Sequence, residues 1–150
     1  MKNLKGVSKF EKLFRKIGSF DIDKSDVYRL TLFINDVTHR LLQTGIENAS
    51  VNNRDVLWVQ DLPITQGLQE SMKEFKKYDE DINIDHILED LATLPPLKYE
   101  IGVDIQEKLP EIQGGLIVAL IKTFRILDER KKNPQTEDWE KAIQIFETLL

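Results

Sequence analysis

The chain changes period at Asn53-Arg54-Asp55-Val56-Leu57-Trp58-Val59-Gln60-Asp61. Residues 55–59 read as a short β-rich piece, because β-branched and aromatic side chains suit a half-buried strand. Upstream, Val27, Leu30, Ile34, Val37 and Leu41 step 3-4-3-4, and Phe33, Leu42, Ile46 and Ala49 widen the stripe. That spacing predicts a long helix from a cap at Asp23 or Ser25 to about Ser50. Downstream, Asp61 and Pro63 suit a first helical turn, and Ile64, Leu68, Met72 and Phe75 carry a helix toward Tyr78. Before the long helix, Phe10, Leu13, Phe14 and Ile17 mark a short amphipathic one. Lys9, Lys12, Arg15 and Lys16 fall on its other face, and Gly18 is placed to end it. The order is short helix, loop, long helix, short strand, third helix.

The order then repeats. Ile84, Ile87, Leu88 and Leu91 reproduce the first spacing 74 residues later. A loop with Pro95-Pro96 leads to a long apolar helix within about Asp104 to Asp128. Asp104 and Glu107 suit a capping box there, with Pro110 a kink or the true start. After a break at residues 130–135, Thr136 caps a last helix whose apolar face is Trp139, Ala142, Ile143, Phe146 and Leu150. Two units, each too small to cover its own apolar face, point to an internal duplication. Gly114-Gly115 sits inside the second long helix, where each Gly costs about 1 kcal/mol against Ala. A close crossing with the other long helix offsets that cost. The rival, a phosphate-binding loop, lacks a preceding strand and any glycine-rich phosphate motif.

A chain of 150 residues with 41% apolar and 31% charged residues suits one globular, ordered domain, or two very small ones fused. It has no cysteine, which removes disulfides, thiol nucleophiles and thiolate metal sites. The net charge of −5 is unevenly spread, with +5 over residues 1–20 and −8 over residues 79–112. That balance excludes a protein wrapped in nucleic acid on all sides but leaves one basic end. Residues 1–16 lack the uninterrupted apolar stretch of a signal peptide. The most apolar run, Leu116 to Ile121, is far short of the roughly 20 residues that span a bilayer. A cytoplasmic protein without a membrane partner is expected.

Little in the chain suggests chemistry. His39 and His86 lie on different predicted helices, neither with a second His at i+4, so no metal centre is expected. The carboxylates sit in solvated runs, and no G-x-S-x-G pattern occurs. Neither an enzyme, a cofactor nor a small-molecule substrate is expected. Trp58 and Trp139 follow the two second loops and suit either base stacking or packing.

The doubled pattern resembles the histone fold. It covers residues 8–78 and again 80–150, which implies an all-α tandem histone fold. Two helix–strand–helix–strand–helix units would then pack as an intrachain pseudo-dimer, in one compact domain over 1–150. Archaeal histones carry an Arg in the second loop that bridges to an Asp seven positions on. Arg54 and Asp61 keep that spacing, as do Lys131 and Asp138 with Lys in place of Arg. The Thr those histones place two residues after the Arg is Val56 here and Asn133 in the second half. Asp61-Leu62-Pro63-Ile64-Thr65 with Gly67-Leu68-Gln69 is similar to an uncharacterised bacterial family with two fused histone folds. The resemblance implies that each half's first loop lies beside the other half's second loop. Lys24 would then join Arg130, Lys131 and Lys132, and with Lys9, Lys12, Arg15 and Lys16 form one basic end. The implied function is weak, sequence-independent binding of duplex DNA by a non-enzymatic monomer. The alternative is a protein–protein interaction module that has kept the fold and lost DNA binding.

Overall fold

The computed structural model describes residues 6–91 and 100–150. Among them the elements run α1 (Val7–Gly18), α2 (Lys24–Val51), β1 (Val56–Leu57), α3 (Gln66–Ile82), α4 (Asp85–Leu91), β2 (Glu100–Ile101), α5 (Val103–Leu127) and α6 (Thr136–Leu149). A 3-10 turn at Val59–Asp61 separates β1 from α3.

The predicted stripes are the buried faces. Phe10, Leu13 and Phe14 of α1 are fully enclosed, as are Val27, Leu30, Leu41 and Leu42 of α2. Asp23 caps α2: its carboxylate accepts the Asp26 N–H at 3.0 Å, and Asp26 accepts the Asp23 N–H at 3.1 Å.

Several helix ends differ from the expectation, each for a local reason. Gly18 does end α1 as its last helical residue, but the left-handed turn falls one residue later, on Ser19 at φ 56°. Gly18 serves close approach instead, since a Cβ there would lie 2.6 Å from Ile121 Cγ2. The third helix starts at Gln66 behind the Thr65 cap rather than at Asp61. Asp61 ends the 3-10 turn, and Leu62, preceding Pro63, is held extended (ψ 139°). No capping box joins Asp104 to Glu107; Gly102 precedes α5, and Asp104 accepts the Val59 N–H at 3.1 Å. Pro110 lies inside α5. Thr136 is the first residue of α6 rather than its cap, and Asp138 accepts the Gln135 N–H at 2.6 Å. The Pro95-Pro96 loop falls outside the described residues.

α5 is the centre of the molecule. Every residue from Ile112 to Val118 is buried, the mark of a helix enclosed on all sides. α1, α2, α3, α4 and α6 all pack against it. The glycine pair does serve a close crossing, but with α3 rather than with α2. A Cβ at Gly114 would fall 2.3 Å from the Phe75 ring, and one at Gly115 2.4 Å from Met72 Cγ.

The two halves are joined at both ends of α2, which is about 42 Å long at 1.5 Å per residue. At its C-terminal end β1 pairs in parallel with β2, Val56 opposite Glu100 and Leu57 opposite Ile101. At its N-terminal end the Asp21 N–H donates to the Lys132 carbonyl at 2.8 Å. Each half's first loop therefore meets the other half's second loop. Among the described residues no helix is long and apolar enough to cross a membrane.

Candidate nucleic-acid interface

The loop after α1 and the loop before α6 are held together by one side chain. Arg125, in the last turn of α5, donates through Nε to the Gly18 carbonyl at 2.9 Å, and Nη2 donates to the same oxygen. Its Nη1 donates to the carbonyls of Glu129 (2.9 Å) and Lys131 (2.8 Å). The guanidinium lies 3.9 Å from the Phe20 ring centroid, within cation–π range. One planar group thus fixes the end of α1, the first loop and the 128–132 turn. Sequence reading missed it; a cation in the last turn of a long apolar helix was the available signal.

Two further bonds cross the same junction. Arg29 Nη2 donates to Thr136 Oγ1 at 3.0 Å, and the buried Trp139 Nε1 donates to Asp26 Oδ1 at 3.1 Å. Burial pushes the Asp26 carboxyl above its ordinary range, against the pull of the Asp23 amide and the Trp139 indole. A polar cavity of about 300 Å³ opens there, lined among others by Asp21, Asp23, Arg29, Asn133 and Gln135.

The eight cations assigned to a basic end separate into groups. Lys24, at the start of α2, and Arg130 and Lys132, on the loop before α6, are exposed and make no ion pair among the described residues. Lys12 is likewise exposed on α1. The other α1 cations are engaged: Lys9 donates to the Asn83 carbonyl at 2.8 Å, Lys16 lies 3.7 Å from Asp81, and Arg15 lies 3.5 Å from Asp21. Lys131 turns inward to Asp138 at 3.0 Å. The end is also of mixed sign, because Asp21, Asp23, Asp128, Glu129 and Glu137 share it. The expected single basic face is therefore narrowed to Lys24, Arg130 and Lys132 at the loops.

Both seven-residue ion pairs form. Arg54 donates to Asp61 in bidentate fashion, at 2.6 and 2.5 Å, and Asp61 also accepts the Trp58 N–H at 2.9 Å. The Arg54 guanidinium, with help from that amide, holds the Asp61 carboxyl below its ordinary value of 3.8. Its contribution to stability is present above 3.8 and is lost as pH falls through the lower folded value. Burial pushes Asp138 upward, but the Gln135 amide and the Lys131 ammonium outweigh it and leave the carboxyl below its ordinary value. Asp138 in turn raises Lys131. A lysine places one point charge where arginine places a fork. Lys131→Arg is therefore expected to raise the urea midpoint slightly, by adding a second charged N–H to Asp138. An unchanged or lower midpoint would show that Asp138 cannot take that second N–H.

The tryptophans part company. Trp139 is core, whereas Trp58 is half exposed with Arg54 at 5.8 Å from its ring centroid. His86 Nδ1 lies 3.1 Å from Asp85 on the surface. Among the described residues no cluster of His, Asp and Glu is arranged to hold a metal ion.

The fold and the joined loops define a class: a mostly helical protein of two short–long–third-helix units fastened loop to loop, in part by a two-stranded parallel sheet, around one buried helix. The chain belongs to the DUF1931 family, a domain of unknown function, whose model matches residues 10–147. An uncharacterised protein of Aquifex aeolicus (strain VF5) is 31% identical over 148 residues, covering 97% of this chain and 84% of that protein. A crystal structure of a Thermus thermophilus protein superposes with a TM-score of 0.85 at 40% identity, covering 99% of this chain and 100% of the other. Protein AQ328 from Aquifex aeolicus, also a crystal structure, gives 0.85 at 27% identity, covering 100% and 99%.

Proposed function

We propose that the chain is a non-enzymatic tandem histone-fold protein that holds duplex DNA weakly and without sequence preference. The supporting observation is the hydrogen bond from Asp21 to Lys132, which sets the loop that carries Arg130 and Lys132 beside the loop that leads into Lys24. Three ammonium and guanidinium groups at that junction can neutralise phosphates along one backbone, which positions a protein without reading bases. The mixed charge of that end keeps the affinity low. With about three phosphate contacts, log K should fall against log salt with a slope of about −2.7, or roughly 40-fold between 50 and 200 mM. A duplex titration across that range tests the reading, with Lys24→Glu/Arg130→Glu/Lys132→Glu as the comparison. No binding at low salt, or binding untouched by the charge reversal, would overturn it.

The alternative, a protein-interaction module, is favoured by one observation. Between α2 and α6 lies a mainly apolar groove of about 450 Å³, containing Phe33, Val37, Trp139 and Ile143, with Leu32 half exposed at its edge. A failed DNA titration would leave this as the better reading.

A further inference from the structure

A second cavity, of about 620 Å³, opens between the 3-10 turn, α3 and α5. Its volume is that of a small-molecule site. Leu62 and Met72 are buried beneath it, and Val59 and Ile64 are half-buried beside them. Lys73 and Lys76 reach it from α3 and Lys108 from α5. Lys76 is neutralised by Glu111 at 3.2 Å. Lys73 and Lys108 make no ion pair or side-chain hydrogen bond among the described residues.

Lys108 is the telling group. It is half-buried and sits in the most acidic stretch of the chain. Helical spacing offers it Asp104 at i−4 and Glu111 at i+3. Asp104 is occupied by the Val59 and Ile105 amides, and Glu111 by Lys76. A half-buried lysine whose neighbouring carboxylates are engaged, at the mouth of a hollow lined by both polar and apolar side chains, is suited to a charge brought from outside.

We propose that this cavity binds a small organic anion, its apolar or aromatic body over Leu62, Ile64 and Met72 and its anionic head between Lys73 and Lys108. The amides of Gln60 and Gln69 line the same opening and can hydrogen-bond polar atoms of the body. Duplex DNA is the wrong shape for the site, since a phosphate backbone offers nothing to Leu62, Ile64 and Met72.

The probe is 1-anilinonaphthalene-8-sulfonate, titrated onto the folded protein and followed by fluorescence and by backbone amide shifts. The expected result is one-to-one binding, with shifts confined to residues 59–76 and 104–111. Decanoate should displace the probe and inorganic phosphate at equal concentration should not. Lys73→Glu/Lys108→Glu should weaken binding at least tenfold, and Lys73→Gln/Lys108→Gln by less, with both variants checked by their urea midpoints. Lys24→Glu/Arg130→Glu/Lys132→Glu should leave probe binding unchanged, which separates this site from the DNA reading. Shifts elsewhere, charge reversal that changes affinity less than twofold, or displacement by phosphate as effective as by decanoate would each overturn the proposal.

Discussion

Gly115→Ala is expected to destabilise the protein by about 2 kcal/mol, although in a free helix the same change gains about 1 kcal/mol. The sign is decided by what the new methyl meets. It would stand 2.4 Å from Met72 Cγ and 3.1 Å from both Met72 N and Cα. The thioether can swing aside, but the backbone of α3 cannot retreat without opening the contact with α5. Gly114→Ala is expected to act in the same direction by crowding the Phe75 ring, and the two changes should couple because they press on one helix. Gly67→Ala is the control. Its nearest neighbour would be Thr65 Oγ1 at 4.0 Å, so α3 should gain about 0.5–1 kcal/mol. Urea unfolding at constant slope measures all three; a gain from Gly115→Ala would show that α3 does not sit on that backbone.

The second large effect is expected at Arg125. Arg125→Met keeps an apolar stem over Phe20 and removes every hydrogen bond to Gly18, Glu129 and Lys131. Carbonyls that lose a charged donor at a part-buried junction cost about 3 kcal/mol together. Arg125→Lys should recover little of this, because an ammonium on a flexible stem cannot serve both carbonyl groups at once. The loss should also be local first. Amide exchange at Asp21, whose N–H reaches Lys132, should quicken far more than at Gly102, whose N–H reaches Leu57 at the other end. A change below about 1 kcal/mol with Asp21 protection intact would contradict the role assigned to this residue.

The pattern of elements was readable because it rests on short-range rules. Val27, Leu30, Ile34, Val37 and Leu41 report their own burial through spacing, whereas the pairing of Arg54 with Asp61 came from the resemblance to archaeal histones. What escaped depends on partners far along the chain. Gly114-Gly115 announces that a backbone comes near but carries no information on which one. The 77-residue step from Arg54 to Lys131 maps the glycine pair onto Val37-Thr38 of α2. Those positions carry side chains, so the two halves cannot pack alike: α3 closes on α5, whereas α6 leaves a groove over α2. The basic face of α1 was legible as a face. That Lys9 and Lys16 are taken up by Asn83 and Asp81 was not, because α1 must first lie beside the end of α3.

The placement of α5 has a consequence for how the protein is made. Residues 7–82 leave the ribosome before the helix on which α1, α2 and α3 all pack. The emerging first half can set α1 against α2 and α3 but lacks the helix on which all three pack. Docking of α1 completes only when Arg125 and Lys132 have been synthesised, because its final turn and the following loop are fastened to those two residues. Until then Phe10, Leu13 and Phe14 lack the cover that α5 gives α1, and that is the interval in which chaperones act and aggregation competes.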